Sequence, residues 1–262
     1  MRFIDFHSHI YPDAIAQKAA DSVRAFYDGL GDPTITGQAD NLLKLGTEAG
    51  VSEFVVLPVS IQPQRTRHIN DFILEQLEKE PKFYGFGTVH AAMENLTEEV
   101  QYILDKGLRG IKIHPDSQVF DIDDPRLLPM YEMIQDKIPI MIHMGDLRYD
   151  YSRPEKLRNI LNRFPRLQAI AAHFGGYQMY ELAADVLHDK DCFFDVSSSL
   201  MFMDEGVAEK YIRYHGADRF VYGSDFPMWN PVTEMARFQK LKLTPDEQEQ
   251  IAHKTALNLL KL

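Results

Sequence analysis

The chain has 262 residues, of which 45% are hydrophobic and 26% are charged, as expected for a globular protein with a large core. Its formal net charge is −11, so the surface as a whole repels the phosphate backbone of nucleic acids. These values indicate a folded protein and disfavour a nucleic-acid partner.

The single cysteine, Cys192, excludes an intramolecular disulfide bond and fits a reducing compartment. The N-terminus lacks the apolar segment of a signal peptide, and no run approaches the roughly 18 apolar residues of a membrane span. We therefore expect a cytoplasmic, soluble protein that binds a small molecule and has no membrane partner. A homo-oligomer is compatible with the sequence.

Short runs rich in Val, Ile and Phe recur along the chain, and a stretch with helical periodicity follows each of them. Their nearly continuous apolar character is typical of parallel strands buried on both faces. The eight runs are Phe3–His7, Glu53–Pro58, Phe83–Val89, Gly110–His114, Pro139–His143, Gln168–His173, Cys192–Ser197 and Arg219–Asp225.

The stretches between these runs carry helix start signals, such as Pro154 and Pro245 in a first turn and the acids that follow Thr97. Each connection is long enough for a right-handed crossover helix. Eight such units predict a (β/α)₈ TIM barrel that forms a single domain over residues 1–262. An open, doubly wound sheet also alternates in this way, but no glycine-rich phosphate loop follows the first strand.

Six of the ten histidines lie at or just past the end of a predicted strand, and in a barrel all these ends open onto one face. We therefore expect the six imidazoles to meet at the mouth where catalysis takes place. They are His7, His9, His90, His114, His143 and His173. The remaining four are expected at the surface: His68, His188, His215 and His253.

His7 and His9 are two residues apart, so in a strand their side chains point to the same face and can close on one metal ion at about 2.0–2.1 Å. The structural alternative is that one of them is a hydrogen-bonded core histidine. Asp225, at the end of the eighth run, is a further candidate because a carboxylate can bind a metal or accept a proton from metal-bound water. The ordinary role of such an aspartate is to cap a helix.

These residues resemble the amidohydrolase superfamily, and most closely the amidohydrolase-related group that includes aminocarboxymuconate-semialdehyde and resorcylate decarboxylases beside hydrolases. The resemblance extends from the first strand to the eighth. It is carried by Ile4-Asp5-Phe6-His7-Ser8-His9-Ile10-Tyr11-Pro12, Ile142-His143, Ala172-His173-Phe174-Gly175-Gly176 and Gly223-Ser224-Asp225-Phe226-Pro227.

The resemblance implies a distorted barrel with one divalent metal, commonly zinc, with manganese or iron also possible. It implies His7, His9, His143 and Asp225 as the ligands. His173 would be the acid/base or the substrate-polarising group.

The fourth predicted strand carries two further candidates, Lys112 and His114. His114 could be an extra ligand, a substrate contact or a hydrogen-bonded histidine, and we expect a substrate contact. Some amidohydrolases carry a carboxylated lysine on this strand that bridges two metals. For Lys112 we instead expect a buried ion pair with Asp5, because an unpaired charge inside the barrel is costly. One metal is therefore expected.

The expected reaction is hydrolysis of an amide, ester or lactone. A metal-bound water loses its proton to Asp225, and the metal and His173 stabilise the oxyanion. Arg148 and Arg153, in the loop after the fifth strand, could clamp a substrate carboxylate, or they could form local ion pairs on an exposed loop. Trp229, with Phe202 and Met203, could form a wall of the pocket.

Three other functions remain open. A non-oxidative decarboxylase of an aromatic or muconate-type acid would use the same ligands. A metal-dependent DNase is disfavoured by the acidic charge. A metal-free lactonase or binding barrel would leave the strand-end histidines without a catalytic role.

Overall fold

The structure, a computed structural model, describes every residue from Met1 to Leu262 and contains short parallel strands that alternate with helices. The strands are β1 Ile4–Ser8, β2 Glu53–Val56, β3 Phe83–Gly85, β4 Gly87–Thr88, β5 Ile111–Ile113, β6 Ile140–Ile142, β7 Ala169–Ala171, β8 Phe193–Asp195 and β9 Phe220–Val221. The predicted third strand is divided into β3 and β4 by Phe86. Nine strands therefore represent the eight predicted runs.

Twelve α-helices connect the strands. They are α1 Asp13–Phe26, α2 Ala39–Glu48, α3 Thr66–Lys79, α4 Leu96–Asp105, α5 Pro115–Gln118, α6 Leu128–Ile134, α7 Pro154–Arg163, α8 Tyr180–Leu187, α9 Val207–His215, α10 Pro231–Gln239, α11 Pro245–Glu249 and α12 Thr255–Leu260. Short 3₁₀ turns cover Pro63–Arg65, Pro125–Leu127 and Ala217–Arg219, and Gln250–Lys254 is π-helical.

The strands form one three-stranded sheet, β1-β2-β3, and one six-stranded sheet, β4 to β9 in chain order, and every pairing is parallel. Backbone bonds link the first strand to the last, since Phe6 donates to the carbonyl of Tyr222 at 2.8 Å and Asp225 donates to that of His7 at 2.7 Å. This parallel order is that of a TIM barrel.

Strand side chains divide between two apolar clusters, as alternation along a strand requires. In β6, Ile140 and Ile142 join a cluster of 48 buried residues that includes the inner faces of the helices. Met141 instead packs in a cluster of 12 with Phe6 and other strand residues, and α12 adds Leu259 to it. The strands are thus buried on both faces, which explains why the sequence pattern is continuously apolar.

One histidine differs from its expected position. His215, at the end of α9, is buried, and its ring lies 4.4 Å from that of Phe194. Burial lowers its pKa to about 4, so the residue is a neutral core histidine. The surface position expected for His215 is therefore wrong. No helix combines the length and the hydropathy needed to cross a membrane.

Close packing of α2 against β2 gives a test of the fold. A Cβ at Gly46 would lie 2.3 Å from Cε1 of Phe54. We expect Gly46→Ala to lower the free energy of unfolding by about 1–3 kcal/mol, because overpacking outweighs the gain in helix propensity. Urea unfolding followed by circular dichroism measures this change.

The control is Thr47→Ala, at the next and exposed position of α2, where the same gain in propensity meets no clash. We expect it to stay within about 0.5 kcal/mol of the original chain. Equal urea midpoints for the two variants would show that Phe54 of β2 moves aside for the added methyl group at little cost in stability.

Candidate metal centre

The pairing of the first and last strands brings together three of the predicted ligands. His7 lies in β1 and His9 follows it, while Asp225 lies four residues beyond β9. A parallel bridge between Ser8 and Phe226 and the bond from Asp225 N to His7 O hold the two segments side by side. The three side chains therefore occupy neighbouring positions although two of them lie more than 200 residues from the third.

The donor atoms of these residues form a small triangle. Nε2 of His7 lies 3.2 Å from Nε2 of His9, and Oδ1 of Asp225 lies 3.4 Å from the first nitrogen and 3.5 Å from the second. A tetrahedral ion with bonds of about 2.0–2.1 Å keeps neighbouring ligand atoms roughly 3.3 Å apart. The triangle therefore has the dimensions of one face of a metal site.

In both His7 and His9, the nitrogen outside the triangle, Nδ1, contacts a hydrogen-bond acceptor. Nδ1 of His9 lies 2.5 Å from the carbonyl oxygen of Leu57, which only accepts, so Nδ1 carries the proton and Nε2 keeps a free lone pair. Nδ1 of His7 lies 2.5 Å from Oδ2 of Asp195, with both side chains buried. Metal-binding histidines in proteins are oriented in this way by carboxylates and carbonyls.

Asp195, in β8, is a site residue that the sequence analysis missed. Besides His7, this carboxylate accepts hydrogen bonds from the backbone N–H of His173 at 2.8 Å and from the hydroxyl of Ser197 at 2.9 Å. Its signal in the sequence is an acid inside an apolar run, because a buried carboxylate without partners would be costly. Asp195 therefore orients His7 and positions His173 at once.

His173 and His143 form a hydrogen-bonded pair beside the triangle. Nε2 of His173 lies 3.0 Å from Nδ1 of His143, and Nδ1 of His173 lies 3.0 Å from the hydroxyl of Ser197. The ring of His173 also stacks on that of His7 at 5.2 Å. Ligand atoms of His7, His173 and Asp225 all lie within 4.8 Å of one another, so His173 is close enough to join the triangle.

His143 takes part in a second group, with His114 and Asp116, whose ligand atoms also lie within 4.8 Å of one another. Nε2 of His143 lies 3.1 Å from the carbonyl oxygen of Gly145, so this nitrogen carries a proton and Nδ1 keeps the lone pair, which faces Nε2 of His173. Nδ1 is therefore the nitrogen of His143 that could bind a metal. Ligation by His143 stays a prediction.

Burial sets the charges of the site. It lowers the pKa values of His7, His143 and His173, so these rings are neutral, as ligands must be. Burial alone would raise the pKa of Asp225, but the neighbouring His7 and His9 hold it below its usual range, so the side chain is a carboxylate. Two neutral imidazoles and one carboxylate fit a divalent cation.

The expected ion pair between Lys112 and Asp5 is wrong. Asp5 accepts instead from the N–H of Ser224 at 2.9 Å, from the hydroxyl of Ser224 at 2.5 Å and from the N–H of His7 at 3.2 Å. Nζ of Lys112 lies 3.1 Å from Nε2 of His7, and burial lowers its pKa to about 8. Lys112 is therefore a further neighbour of the triangle, and Asp5 binds the first strand to the last.

A small cavity lies beside the triangle, and its volume of about 10 Å³ has room for roughly one water molecule. Trp229 lines it as predicted and donates from Nε1 to the hydroxyl of Ser198 at 2.8 Å, and Ser198 donates in turn to Asp225. The lining residues are Tyr27, His143, His173, Tyr177, Ser198, Asp225, Met228 and Trp229.

Three residues expected at the mouth are engaged elsewhere. Arg148 is bonded through its guanidinium to both carboxylate oxygens of Asp146, and Arg153 pairs with Glu155 at 3.2 Å, so both make the local ion pairs of the alternative interpretation. Neither lines the cavity. His90 accepts from the N–H of Ala92 and packs on Phe120, and its place at the mouth stays a prediction.

Three cavity residues have an unusual backbone conformation. His173, Ser198 and Asp225 have φ angles of 60°, 50° and 57°, in the left-handed region that residues other than glycine seldom adopt. Such conformations concentrate at functional sites, where the surrounding structure maintains them. The site is therefore built from strand ends that leave regular geometry in order to orient their side chains.

Comparison with known proteins identifies the family. A family model described as amidohydrolase matches residues 4–262, which is nearly the whole chain. The chain belongs to the amidohydrolase family. This confirms the family predicted from the strand-end motifs and the prediction that the protein is an enzyme. None of the curated proteins matches the sequence closely enough to count as a relative.

Solved structures share the fold. An uncharacterized TIM-barrel protein from Bordetella bronchiseptica is 21% identical, with a TM-score of 0.82 over 100% of this chain and 99% of the other. A 5-carboxyvanillate decarboxylase from Sphingomonas paucimobilis is 14% identical, with a TM-score of 0.77 over 100% and 99%. A dihydroxybenzoic acid decarboxylase from Polaromonas sp. JS666, with bound manganese and the inhibitor 2-nitroresorcinol, is 18% identical, with a TM-score of 0.75 over 99% and 97%. These likenesses confirm the predicted TIM barrel.

The contact between Asp195 and His7 can be tested through metal affinity. We expect Asp195→Asn to weaken binding of zinc or manganese by about 10–100-fold, because His7 loses the carboxylate that orients it. Competition with a chromophoric chelator measures the affinity. Asp191→Asn, at an exposed position just before β8, is the control and should bind metal as the original chain does. Equal affinities in the two variants would exclude His7 as a ligand oriented by Asp195.

Proposed function

We propose that this protein is a metal-dependent enzyme that releases CO₂ from a small aromatic or muconate-type carboxylic acid without oxidation. The observation that carries the proposal is the His7, His9 and Asp225 triangle next to a nearly closed cavity with aromatic walls. The structural likeness to two decarboxylases supports this choice over hydrolysis.

A divalent ion at the triangle would supply positive charge that binds and orients a substrate carboxylate or an adjacent oxygen. The protein adds a dry environment, since the cavity holds about one water molecule. Removal of water disfavours a charged carboxylate relative to neutral CO₂, so a closed cavity favours breakage of the bond between carbon and the carboxylate. Hydrolysis, in contrast, consumes a water molecule.

Loss of CO₂ leaves an electron pair on the substrate carbon, which must take a proton. His173 lines the cavity and is the group that can hold and deliver it, whereas Asp225 stays a carboxylate. His173 is connected to His143 and to Ser197 by hydrogen bonds, so a proton that it gives up can be replaced. Tyr177 and Trp229 offer ring faces and edges against which a planar substrate could lie.

The identity of the ion is part of the proposal. Two imidazoles with a carboxylate suit zinc, manganese and iron, and zinc is the expectation from the sequence resemblance. Manganese is supported by the decarboxylase structure that contains it. We propose one ion on each chain, held by His7, His9 and Asp225, with His143 or His173 as the remaining protein ligand.

Hydrolysis of an amide, ester or lactone is the second candidate, and the charge of Asp225 favours it. The low pKa keeps this side chain ionised at neutral pH, so it could take the proton of a water molecule whose own pKa a bound ion would lower. His173 would then donate to the developing oxyanion. In this case the cavity must open enough to admit both the substrate and water.

Elemental analysis of protein purified without chelators or metal-affinity columns tests the metal. We expect about one zinc, manganese or iron for each chain, as the single triangle implies. Less than about 0.1 equivalent, not restored by added zinc or manganese, contradicts the metal-dependent reading and leaves a metal-free lactonase or binding barrel. With metal present, aromatic and muconate-type acids are screened for CO₂ release, and amides, esters and lactones for hydrolysis. CO₂ release supports the first candidate, and hydrolysis alone supports the second.

Asp225→Asn tests the carboxylate in either reaction. We expect turnover to fall by about 10²–10⁴-fold, because the amide cannot take up or deliver a proton. Metal content is measured in the same sample, so loss of the ion and loss of proton transfer are distinguished. Activity within a few-fold of the original chain, with metal still bound, would remove Asp225 from the mechanism. Asp204→Asn, at an exposed position, is the control.

A further inference from the structure

The cavity beside the triangle is too small for any substrate. Its volume of about 10 Å³ matches roughly one water molecule, whereas a small carboxylic acid has several times that size. The structure therefore represents a closed site, and part of the lining must move before a ligand can enter. Which part moves can be inferred from how each lining residue is held.

Most of the lining is fixed to the barrel by the backbone. Tyr177 donates from its N–H to the carbonyl of Met144 at 2.7 Å, and Met228 donates to the carbonyl of Asp225 at 2.9 Å. Tyr27 differs, because its N–H is bonded to Val23 and Arg24 of α1 and only its side chain reaches the cavity. The position of Tyr27 therefore follows the end of α1 rather than the barrel.

The hydroxyl of Tyr27 contacts the Nε2 atoms of two parallel imidazole rings. Its oxygen lies 3.1 Å from Nε2 of His114 and 3.5 Å from Nε2 of His143, and the two rings stack at 3.8 Å with 9° between their planes. Nδ1 of His114 accepts from the N–H of Ser117, so Nε2 of His114 carries the proton. Nε2 of His143 also carries one, since it donates to Gly145. The N–H of His114 thus faces the Tyr27 oxygen at hydrogen-bond distance, and the N–H of His143, which is shared with Gly145, lies beside it.

This pair of N–H groups is a subsite for an oxygen that accepts hydrogen bonds. A carboxylate or carbonyl oxygen accepts two such bonds more strongly than a phenol does, because it carries more negative charge. The Tyr27 hydroxyl therefore occupies a place that an oxygen of the substrate could take. Displacement of Tyr27 would admit the ligand and expose the subsite together.

Arg148 holds the end of α1 over this subsite. Its guanidinium donates to the carbonyl of Phe26 at 2.6 Å and to the carboxylate of Asp28 at 3.2 Å, while Asp146 anchors it to the loop after β6. The guanidinium carbon also lies 5.2 Å from the ring of Phe26 and 5.4 Å from that of Tyr27. One side chain thus connects two segments that surround the cavity.

The chain just after this contact can bend. Gly29 has a φ angle of 83°, its N–H donates to the carbonyl of Arg24 at 2.8 Å, and a Cβ there would touch nothing within 4 Å. Gly31 instead packs against Met228, because a Cβ at this position would lie 2.7 Å from the Met228 carbonyl oxygen. The open space after Gly29 is suited to a hinge. Beyond the hinge the chain is anchored again, because Asp32 donates to the carbonyl of Met228 at 3.2 Å.

We propose that Phe26–Asp28 is a lid over the candidate site. The side chain of Tyr27 fills the space beneath the lid, and Arg148, which we call the latch, holds the lid closed. The N–H groups of His114 and His143 then form a subsite for a carboxylate or carbonyl oxygen of the substrate. The proposal rests on the proposed function only for the identity of that oxygen. Opening of the lid is a property of the protein alone and can be measured without any activity.

Trp229 provides the measurement, because it is the single tryptophan of the chain and lines the cavity with Tyr27. Quenching of its fluorescence by acrylamide reports how often the cavity opens to solvent. We expect Arg148→Met to raise the quenching constant at least about twofold, since loss of the latch shifts the population toward the open lid. Arg153→Met is the matched control, with a side chain in the same loop exposed to 35% against 34% for Arg148.

Two milder variants keep the test decisive if Arg148→Met fails to fold. Asp28→Asn removes the exposed ion pair, and asparagine tolerates the φ of 55° at this position. Tyr27→Phe keeps the ring and removes the oxygen that His114 and His143 contact. We expect both to raise quenching, by less than Arg148→Met does. Quenching equal to that of the original chain in both variants would overturn the lid.

Addition of a carboxylic acid tests the subsite separately. In the metal-loaded protein, benzoate or salicylate should bind more tightly to Tyr27→Phe than to the original chain, because the competing hydroxyl is gone. His114→Phe keeps an aromatic ring against His143 but lacks the N–H, and we expect it to lose at least about fivefold in affinity. Equal affinity in His114→Phe and the original chain would overturn the subsite. Failure here with the expected quenching would leave the lid and the metal-dependent function standing.

Discussion

The site depends on the backbone contact between the first strand and the last. Asp225 N donates to His7 O, and Asp5 accepts from both the N–H and the hydroxyl of Ser224, so the two ends of the chain are joined in one register. The same register sets the distances from Asp225 to His7 and His9. A slip of one residue would turn these side chains to opposite faces. The metal triangle and barrel closure are therefore one structural feature.

Buried polar groups elsewhere in the site follow from this contact. His173 lies against Asp195 because β7 and β8 are neighbours in the sheet. His7 does so because backbone bonds place β1 beside β9, the other neighbour of β8. His7, His143 and His173 are neutral and hydrogen-bonded, so the cluster avoids the cost of buried charge while it keeps lone pairs available for an ion. The helices lie outside this network, apart from α1 and the short α5, whose ends bring Tyr27 and His114 together.

The closed cavity connects the chemistry with the motion of the loops. A site with little water favours loss of CO₂ from a carboxylate, but a cavity of about 10 Å³ must widen before a substrate can enter. A mobile lid resolves this conflict, since it can open for binding and close for reaction. Arg148 is suited to such a role because its guanidinium binds two segments that the barrel itself does not connect.

The sequence by itself determined the alternation of strands and helices, the family, and the placement of His7, His9, His143, His173 and Asp225 at strand ends. Periodicity and strand-end motifs are local properties of the sequence, so they can be recognised without knowledge of the fold. The tertiary structure decided which groups pair. It joined His7 to Asp195 across 188 residues, bonded Asp5 to Ser224 rather than to Lys112, bound Arg148 to the end of α1, and turned Nε2 of His143 to the carbonyl of Gly145. Such pairings depend on distances between segments remote in the chain, and one residue's position along a strand contains no information about them.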